Sequence, residues 1–314
     1  MKRKAIIISI KGTKLSRLEK ILFTKEKPWG VILFKRNLKT TQQIKKLTSS
    51  IRNITKDNRF PIMIDEEGKN VSRLSDIIQH NFSANFFGNI MKIDRNLGLK
   101  FTKNYVNSLC KILKYLGINI NTIPVLDVLR TKTNKIIGNR SFSEDKKIVK
   151  SLGELSIKYL HSNKILGVIK HIPGHGFAQS DSHKRLPKVS LSLNKLNQTD
   201  FFPFKSSKAK LAMTAHILYS QIDKQNPATL SKKIINNIIR KKLKFSGILI
   251  SDDISMRALK YDLLTNARKS LEAGCNLVLY CSGNTSDNFK LIRSLPYIDK
   301  FTSKKTSEFF EFLR

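Results

Sequence analysis

Leu166-Gly-Val-Ile-Lys-His-Ile-Pro-Gly-His-Gly-Phe-Ala-Gln-Ser-Asp-Ser-His-Lys-Arg-Leu-Pro187 is the stretch on which the fold turns. Its first four residues are apolar and unbroken by polar alternation, as in a strand buried on both faces. A glycine-rich loop follows at once, with Lys170, His171, His175, Asp181 and His183 within fourteen positions. A buried strand that ends in groups able to move protons is how α/β enzymes arrange their chemistry.

The same grammar recurs along the chain. Apolar runs at 5–10, 30–34, 61–65, 118–126, 167–171, 211–216, 247–252 and 276–281 read as strands. Helical patterns at 40–54, 94–116, 145–166, 231–243 and 256–273 lie between them, with Ser231 placed as a cap and Gly117 and Gly274 as C-terminal stops. Several runs end in ionisable residues: Asp65-Glu66-Glu67, Lys170-His171, His216, and Ser251-Asp252-Asp253. Parallel strands would gather all of these on one rim. The expectation is a single-domain α/β (β/α)8 TIM barrel over residues 1–314, with an open doubly wound sheet as the alternative.

Composition narrows the classes. Apolar residues make up 40% of the chain, enough for a sizeable core. The three cysteines, Cys110, Cys275 and Cys281, form no C-x-x-C pair, which argues against a disulfide framework and suits a reducing cytoplasm. The apolar run after Met-Lys-Arg-Lys stops at Lys11, too short for a secretory signal, and no run approaches the roughly 20 residues of a membrane span. A soluble cytoplasmic monomer is expected, with no membrane insertion. The formal charge of +36 raises the question of nucleic acid. The basic residues are scattered over helix faces without a recognition motif, so no specific nucleic-acid partner is expected, only weak salt-sensitive adhesion.

Individual residues admit more than one role. Asp253 reads as a helix N-cap, whereas Asp252, at the strand's end, would point into the barrel mouth. Arg140 either pairs on the surface with Glu144 or Asp145 or binds an oxygen-rich substrate. Asp65 ends its strand eight residues before Arg73. His171, His175, Asp181 and His183 have metal-ligand chemistry but no common zinc spacing. Asp181 two residues before His183 equally suits an acid–base pair, the carboxylate fixing the imidazole tautomer. His175, between two glycines, reads as a structural hydrogen-bonder of the loop. Trp29 is placed at the far end of the barrel, without a function.

The ordered set of motifs resembles glycoside hydrolase family 3, in particular its single-domain bacterial β-N-acetylhexosaminidases of peptidoglycan recycling. It comprises Gly30-Val-Ile-Leu-Phe-x-Arg-Asn, Ile64-Asp-x-Glu-Gly, Thr122-x-Pro-Val-Leu-Asp, Ile137-Gly-x-Arg-Ser-Phe, Lys170-His-x-Pro-Gly-His-Gly, Asp181-Ser-His-x-x-Leu-Pro, Ser251-Asp-Asp-x-Ser-Met and Glu272-Ala-Gly-Cys. The resemblance implies a retaining exo-β-N-acetylglucosaminidase that removes terminal GlcNAc from muropeptides or small oligosaccharides, with no metal or other cofactor. It implies Asp252 as nucleophile and His183 as acid/base with Asp181 as its partner. Asp65, Arg73, Arg140, Lys170, His171 and His216 would hold the sugar. Retaining glycosidases ordinarily use two carboxylates, so the histidine donor is a departure. The chain itself departs from the family's Asp-x-Glu-Gly-Gly-Arg-Val-x-Arg. Lys69 and Asn70 stand where the second glycine and first arginine usually are, which puts that loop's conformation in question. A phosphorylase on the same scaffold and a non-catalytic basic binding protein are the alternative functions.

Overall fold

The computed structural model describes residues 2–79, 81–131, 137–182 and 184–313. Eight parallel strands close into a barrel: β1 (Lys4–Ser9), β2 (Pro28–Leu33), β3 (Ile62–Ile64), β4 (Ile120–Asn121), β5 (Leu166–Ile172), β7 (Leu211–Thr214), β9 (Ile248–Asp253) and β10 (Leu277–Tyr280). Each of the eight apolar runs supplies one of them. A small parallel pair, β6 (Lys188–Val189) with β8 (Leu218–Tyr219), lies outside the barrel. Closure leaves the barrel without a free edge and removes the open-sheet alternative.

Both faces of each strand are buried, which is why the runs show no polar alternation. In β1, Ala5 and Ile7 point into the barrel, where they meet Ile32, Met63, Val168, Met213 and Ile250. Ile6 and Ile8 point outward onto the helix layer, which includes Leu47 and Ile51 of α2 (Thr41–Thr55). Around the barrel lie the short α1 (Arg17–Ile21), α3 (Ala84–Ile93), α4 (Arg95–Tyr115), α5 (Lys146–Ser162), the short α6 (Leu193–Gln198), a helical segment Ile234–Lys242, α7 (Leu263–Ala273) and α8 (Thr285–Ser294). Ser231 caps the Ile234 segment through its Oγ. Gly117 and Gly274 follow α4 and α7 with φ of +75° and +116°.

The N-terminal end of the barrel is plugged. The C-terminal helix α9 (Lys300–Phe312) drives Phe309 and Phe310 against the interior, and the Trp29 indole N–H donates to Thr306 Oγ1 at 2.9 Å. The cavity at the opposite rim, among the described residues, is where the ionisable strand ends gather.

Two elements depart most from their patterns. The run 118–126 yields a strand of two residues, and Pro124, farther along, has no N–H to offer a ladder. The strand's continuation meets β5 through Leu126 N–H to Lys170 O at 2.7 Å instead. The helix expected from Met256 starts only at Leu263, capped by Asp262. Residues before it form a loop whose Ala258 N–H donates to Ser182 O at 3.2 Å, so that this amide is satisfied without a helix.

Candidate active site

Asp65, Glu67, Arg73, Arg140, Lys170, His171, His175, Ser182, Asp252 and Asp253 face one cavity of about 430 Å³ at the C-terminal rim. Phe34, Met213 and Leu279 form part of its apolar lining. Among the described residues this is where the ionisable strand ends converge, as parallel strands require.

One side of the cavity is a closed charge network. Lys170, in the middle of β5, is almost wholly buried and donates to three acceptors, Glu67 Oε1 at 2.6 Å, Thr122 Oγ1 at 2.7 Å and, at a longer 3.4 Å, Asp65 Oδ1. Arg73 Nη2 donates to Asp65 Oδ2 at 3.0 Å, and Thr122 Oγ1 donates to Asp65 Oδ1. Arg140 grips Glu67 with two bonds, Nε at 2.7 Å and Nη2 at 2.9 Å, the bidentate geometry that guanidinium favours. Burial alone would push both carboxyls up. For Asp65 the Lys170 and Arg73 charges outweigh it, and for Glu67 those of Arg140 and Lys170, so both are held well below the usual carboxylate range. Arg140 therefore makes no surface pair with Glu144 or Asp145; Glu144 takes Lys92 instead.

The loop after β3 is built by strand alternation. Asp65 and Glu67 turn into the cavity, while Glu66 turns away and accepts the N–H groups of Arg73 and Leu74 at 2.8 and 2.9 Å. Gly68 has φ +133°, and a Cβ there would lie 2.5 Å from Phe82 O. Lys69 carries no positive φ and donates its N–H to Phe82 O at 3.0 Å. The turn closes through Val71 N–H to Gly68 O at 3.1 Å, so glycine is required at 68 but not at 69. Asn70, in place of the expected arginine, lines the cavity with a short neutral side chain.

The other side is sparsely tied. Asp252, near the end of β9, accepts the Asp253 N–H at 2.8 Å. Burial would raise this carboxyl, but the imidazoles of His216 and His171, the Asp253 N–H and Lys170 together hold it below the ordinary range. It is thus an anion exposed to the cavity with few internal partners. Asp253 caps the turn after β9, accepting Ser255 Oγ at 2.7 Å, and burial raises its carboxyl. It caps a turn rather than a helix.

His216 does not line the cavity. It is buried beneath Asp252, its Nδ1 2.7 Å from Thr229 Oγ1 and its Nε2 3.0 Å from Asp253 O. His171 Nδ1 lies 2.7 Å from Asp127 Oδ2; a carboxylate held low can only accept, so this nitrogen carries the proton and Nε2 is left for the cavity. The backbone of His175 donates to Asp127 Oδ1 at 2.8 Å, in keeping with its structural reading, and burial takes its imidazole down to about 4. Asp181 is partly buried and lies outside the cavity lining. His183 falls outside the described residues. Among the described residues no group of three His, Cys, Asp or Glu side chains is arranged to hold a metal ion.

Sequence reasoning left out Glu67, Thr122 and Asp127 as site residues. Glu67 stands two positions from Asp65 on a strand end, so alternation alone placed it beside Asp65. Thr122 and Asp127 bracket a motif already noted. Their chemistry becomes visible only when β4 lies beside β3 and β5.

Residues 5–303 match the model of the glycosyl hydrolase family 3 N-terminal domain. The chain belongs to glycoside hydrolase family 3. It is 32% identical over 297 residues to a beta-hexosaminidase of Nitrosomonas eutropha, covering 93% of this chain and 84% of that one. A beta-hexosaminidase of Haemophilus influenzae is 32% identical over 304 residues, covering 93% and 85%. The crystal structure of NagZ from Neisseria gonorrhoeae in complex with N-trifluoroacetyl-D-glucosamine superposes with a TM-score of 0.90 at 30% identity, covering 98% of this chain and 90% of that one. The family 3 barrel here is therefore a glycoside hydrolase of the beta-hexosaminidase type. No helix among its described residues is long and apolar enough to cross a membrane.

Proposed function

We propose that this hydrolase is a retaining exo-β-N-acetylglucosaminidase with Asp252 as nucleophile. The observation that carries this reading is the ionised Asp252 carboxylate facing the cavity opposite the Asp65–Lys170–Glu67–Arg140 network. A terminal sugar seated on that network would present its hydroxyls to Asp65, Lys170, Arg73 and His171, and its anomeric carbon to Asp252. Charge-assisted hydrogen bonds to hydroxyls strengthen as the oxocarbenium-like transition state develops.

Asp252 attacks C1 as the bond to the leaving oxygen breaks, giving a glycosyl ester on the enzyme. His183, oriented by Asp181, donates the proton that the departing oxygen takes. It then removes a proton from water, whose oxygen displaces Asp252 and restores the configuration. His216 supports Asp252 from below. Arg140 sets the position of Glu67 and so of Lys170. The ligand of the gonococcal relative is an N-acylglucosamine, which favours GlcNAc at this subsite. A cytoplasmic muropeptide carrying GlcNAc on anhydro-MurNAc is the substrate we assign, acted on by a monomer in cell-wall recycling.

The test is release of 4-nitrophenol from its β-N-acetylglucosaminide by wild type and Asp252→Ala, with and without phosphate, and the anomer of the first product by NMR. Phosphate-independent turnover that needs Asp252 and gives the β-product supports the reading. Phosphate-dependent turnover would make the enzyme a phosphorylase. An α-product, or full activity in Asp252→Ala, would overturn it.

A further inference from the structure

Residues 173–182 lead from β5 to His183, and one buried side chain outside the cavity holds their start. Asp200, following α6, is 1% exposed and accepts the Phe177 N–H on Oδ2 at 2.9 Å and Arg130 Nη2 on Oδ1 at 3.2 Å. Arg130 in turn lies over the Phe177 ring, 4.8 Å from its centroid. The approach is close: a Cβ at Gly176 would fall 2.2 Å from Val128 O and 2.9 and 3.0 Å from the Asp200 carboxylate oxygens, and one at Gly174 would fall 2.6 Å from the Asp200 backbone oxygen. Tyr219 donates its hydroxyl to Gly174 O on the same side. Farther along, Ser182 O accepts the Ala258 N–H.

We propose that Asp200 is a positioning residue for the reaction: its carboxylate, clamped by Arg130, fixes the base of segment 173–182 so that Asp181 and His183 deliver a proton to the leaving group. The proposal rests on the assignment of that pair as acid/base. Neither Asp200 nor Arg130 lines the cavity, so any effect on turnover passes through the segment. A neutral amide could accept the Phe177 N–H as well, yet the position holds a carboxylate in a site that disfavours its charge. Burial pushes Asp200 up to about 6 against the pull of the Phe177 N–H and Arg130, and Asp127 adds to the rise. The groups facing it among the described residues are Arg130 and Asp127 from the loop after β4 and Tyr219 from β8. Charge retained where it is costly points to a role that the charge performs, here the hold on Arg130.

The experiment compares wild type, Asp200→Asn, His183→Ala and the double variant on two β-N-acetylglucosaminides, one with a 2,4-dinitrophenyl and one with a 4-methylphenyl leaving group. The first departs without a proton; the second needs one. Asp200→Asn is expected to lose about 30-fold or more in kcat/KM on the 4-methylphenyl substrate and less than about 3-fold on the dinitrophenyl one. Adding it to His183→Ala is expected to cost little more, since the two changes act through one step. Equal losses on both substrates, or losses that multiply in the double variant, overturn the proposal while leaving the His183 assignment standing. A His183→Ala loss independent of leaving group overturns that assignment and this proposal with it. Arg130→Met, which keeps the Phe177 bond, is measured alongside and is expected to show the same selective loss; it decides the matter if Asp200→Asn does not fold.

Discussion

The two sides of the cavity are built on opposite principles. Around Lys170 every charged group has at least one partner of opposite sign, and the carboxylates of Asp65 and Glu67 are locked by cations on two sides. Across from it, Asp252 has one amide donor to its carboxylate among the described residues and is held ionised by imidazoles and a more distant lysine. A saturated network is rigid and can present fixed donors and acceptors to a ligand. A carboxylate with few partners keeps its lone pairs for a reacting carbon. In the proposed reaction the contrast assigns binding to one side and chemistry to the other, and each side is expected to fail differently when broken.

The largest effect is expected from the sparse side. Asp252→Ala should lower kcat/KM for 4-nitrophenyl β-N-acetylglucosaminide by about four orders of magnitude, with the melting temperature little changed. A comparable loss of stability would show that Asp252 is structural after all.

On the saturated side, Lys170→Met should damage both properties. It leaves Asp65 and Glu67 facing each other without their shared cation, a loss of about 3–5 kcal/mol that chemical denaturation would read. Turnover should fall by about two orders of magnitude, and an unchanged stability would contradict the enclosure described for this side chain.

Asp200→Asn should do the reverse to stability. The Asp200 carboxyl is raised to about 6 in the folded protein, above its ordinary value near 3.8. The wild type is therefore most favoured below pH 4 and loses that contribution as pH rises through 6. Asparagine has no such loss. At pH 7.5 the variant should melt about 2–5 °C above wild type, and the difference should vanish toward pH 4. A variant less stable than wild type at pH 7.5 would refute the assigned cost of the charge.

The smallest effect belongs to the tip of the β3 loop. Lys69→Gly should change kcat/KM by less than about 3-fold, because the backbone at 69 needs no glycine and its side chain is exposed. A larger change would mean that Lys69 meets the substrate.

Much of this was legible before any fold was drawn. Asp65, Lys170, His171 and Asp252 each end or interrupt an apolar run, and the barrel could only bring such residues to one rim. The helix expected from Met256 begins instead at Leu263, and the residues before it form turns in which the Ala258 amide donates to Ser182 O. Of the two readings open for Arg140, the surface pair gave way to a bidentate hold on Glu67, 73 residues away. His216, placed among the sugar ligands by resemblance, lies close to Asp252 with both ring nitrogens already engaged. His183 and its pairing with Asp181 lie outside the described residues.

The sequence by itself determined the strand set, the alternating α/β class and the chemistry collected at the strand ends, because these follow from local patterns of burial and strand termination; that the sheet closes into a barrel was decided by the tertiary structure. The tertiary structure alone decided who pairs with whom: Glu67 with Arg140, Asp127 with His171, Asp200 with Arg130 and Phe177. Those partners stand 73, 44, 70 and 23 residues apart. Only barrel closure, which sets each loop beside its neighbours, makes such separations a few ångströms and turns isolated ionisable residues into a site.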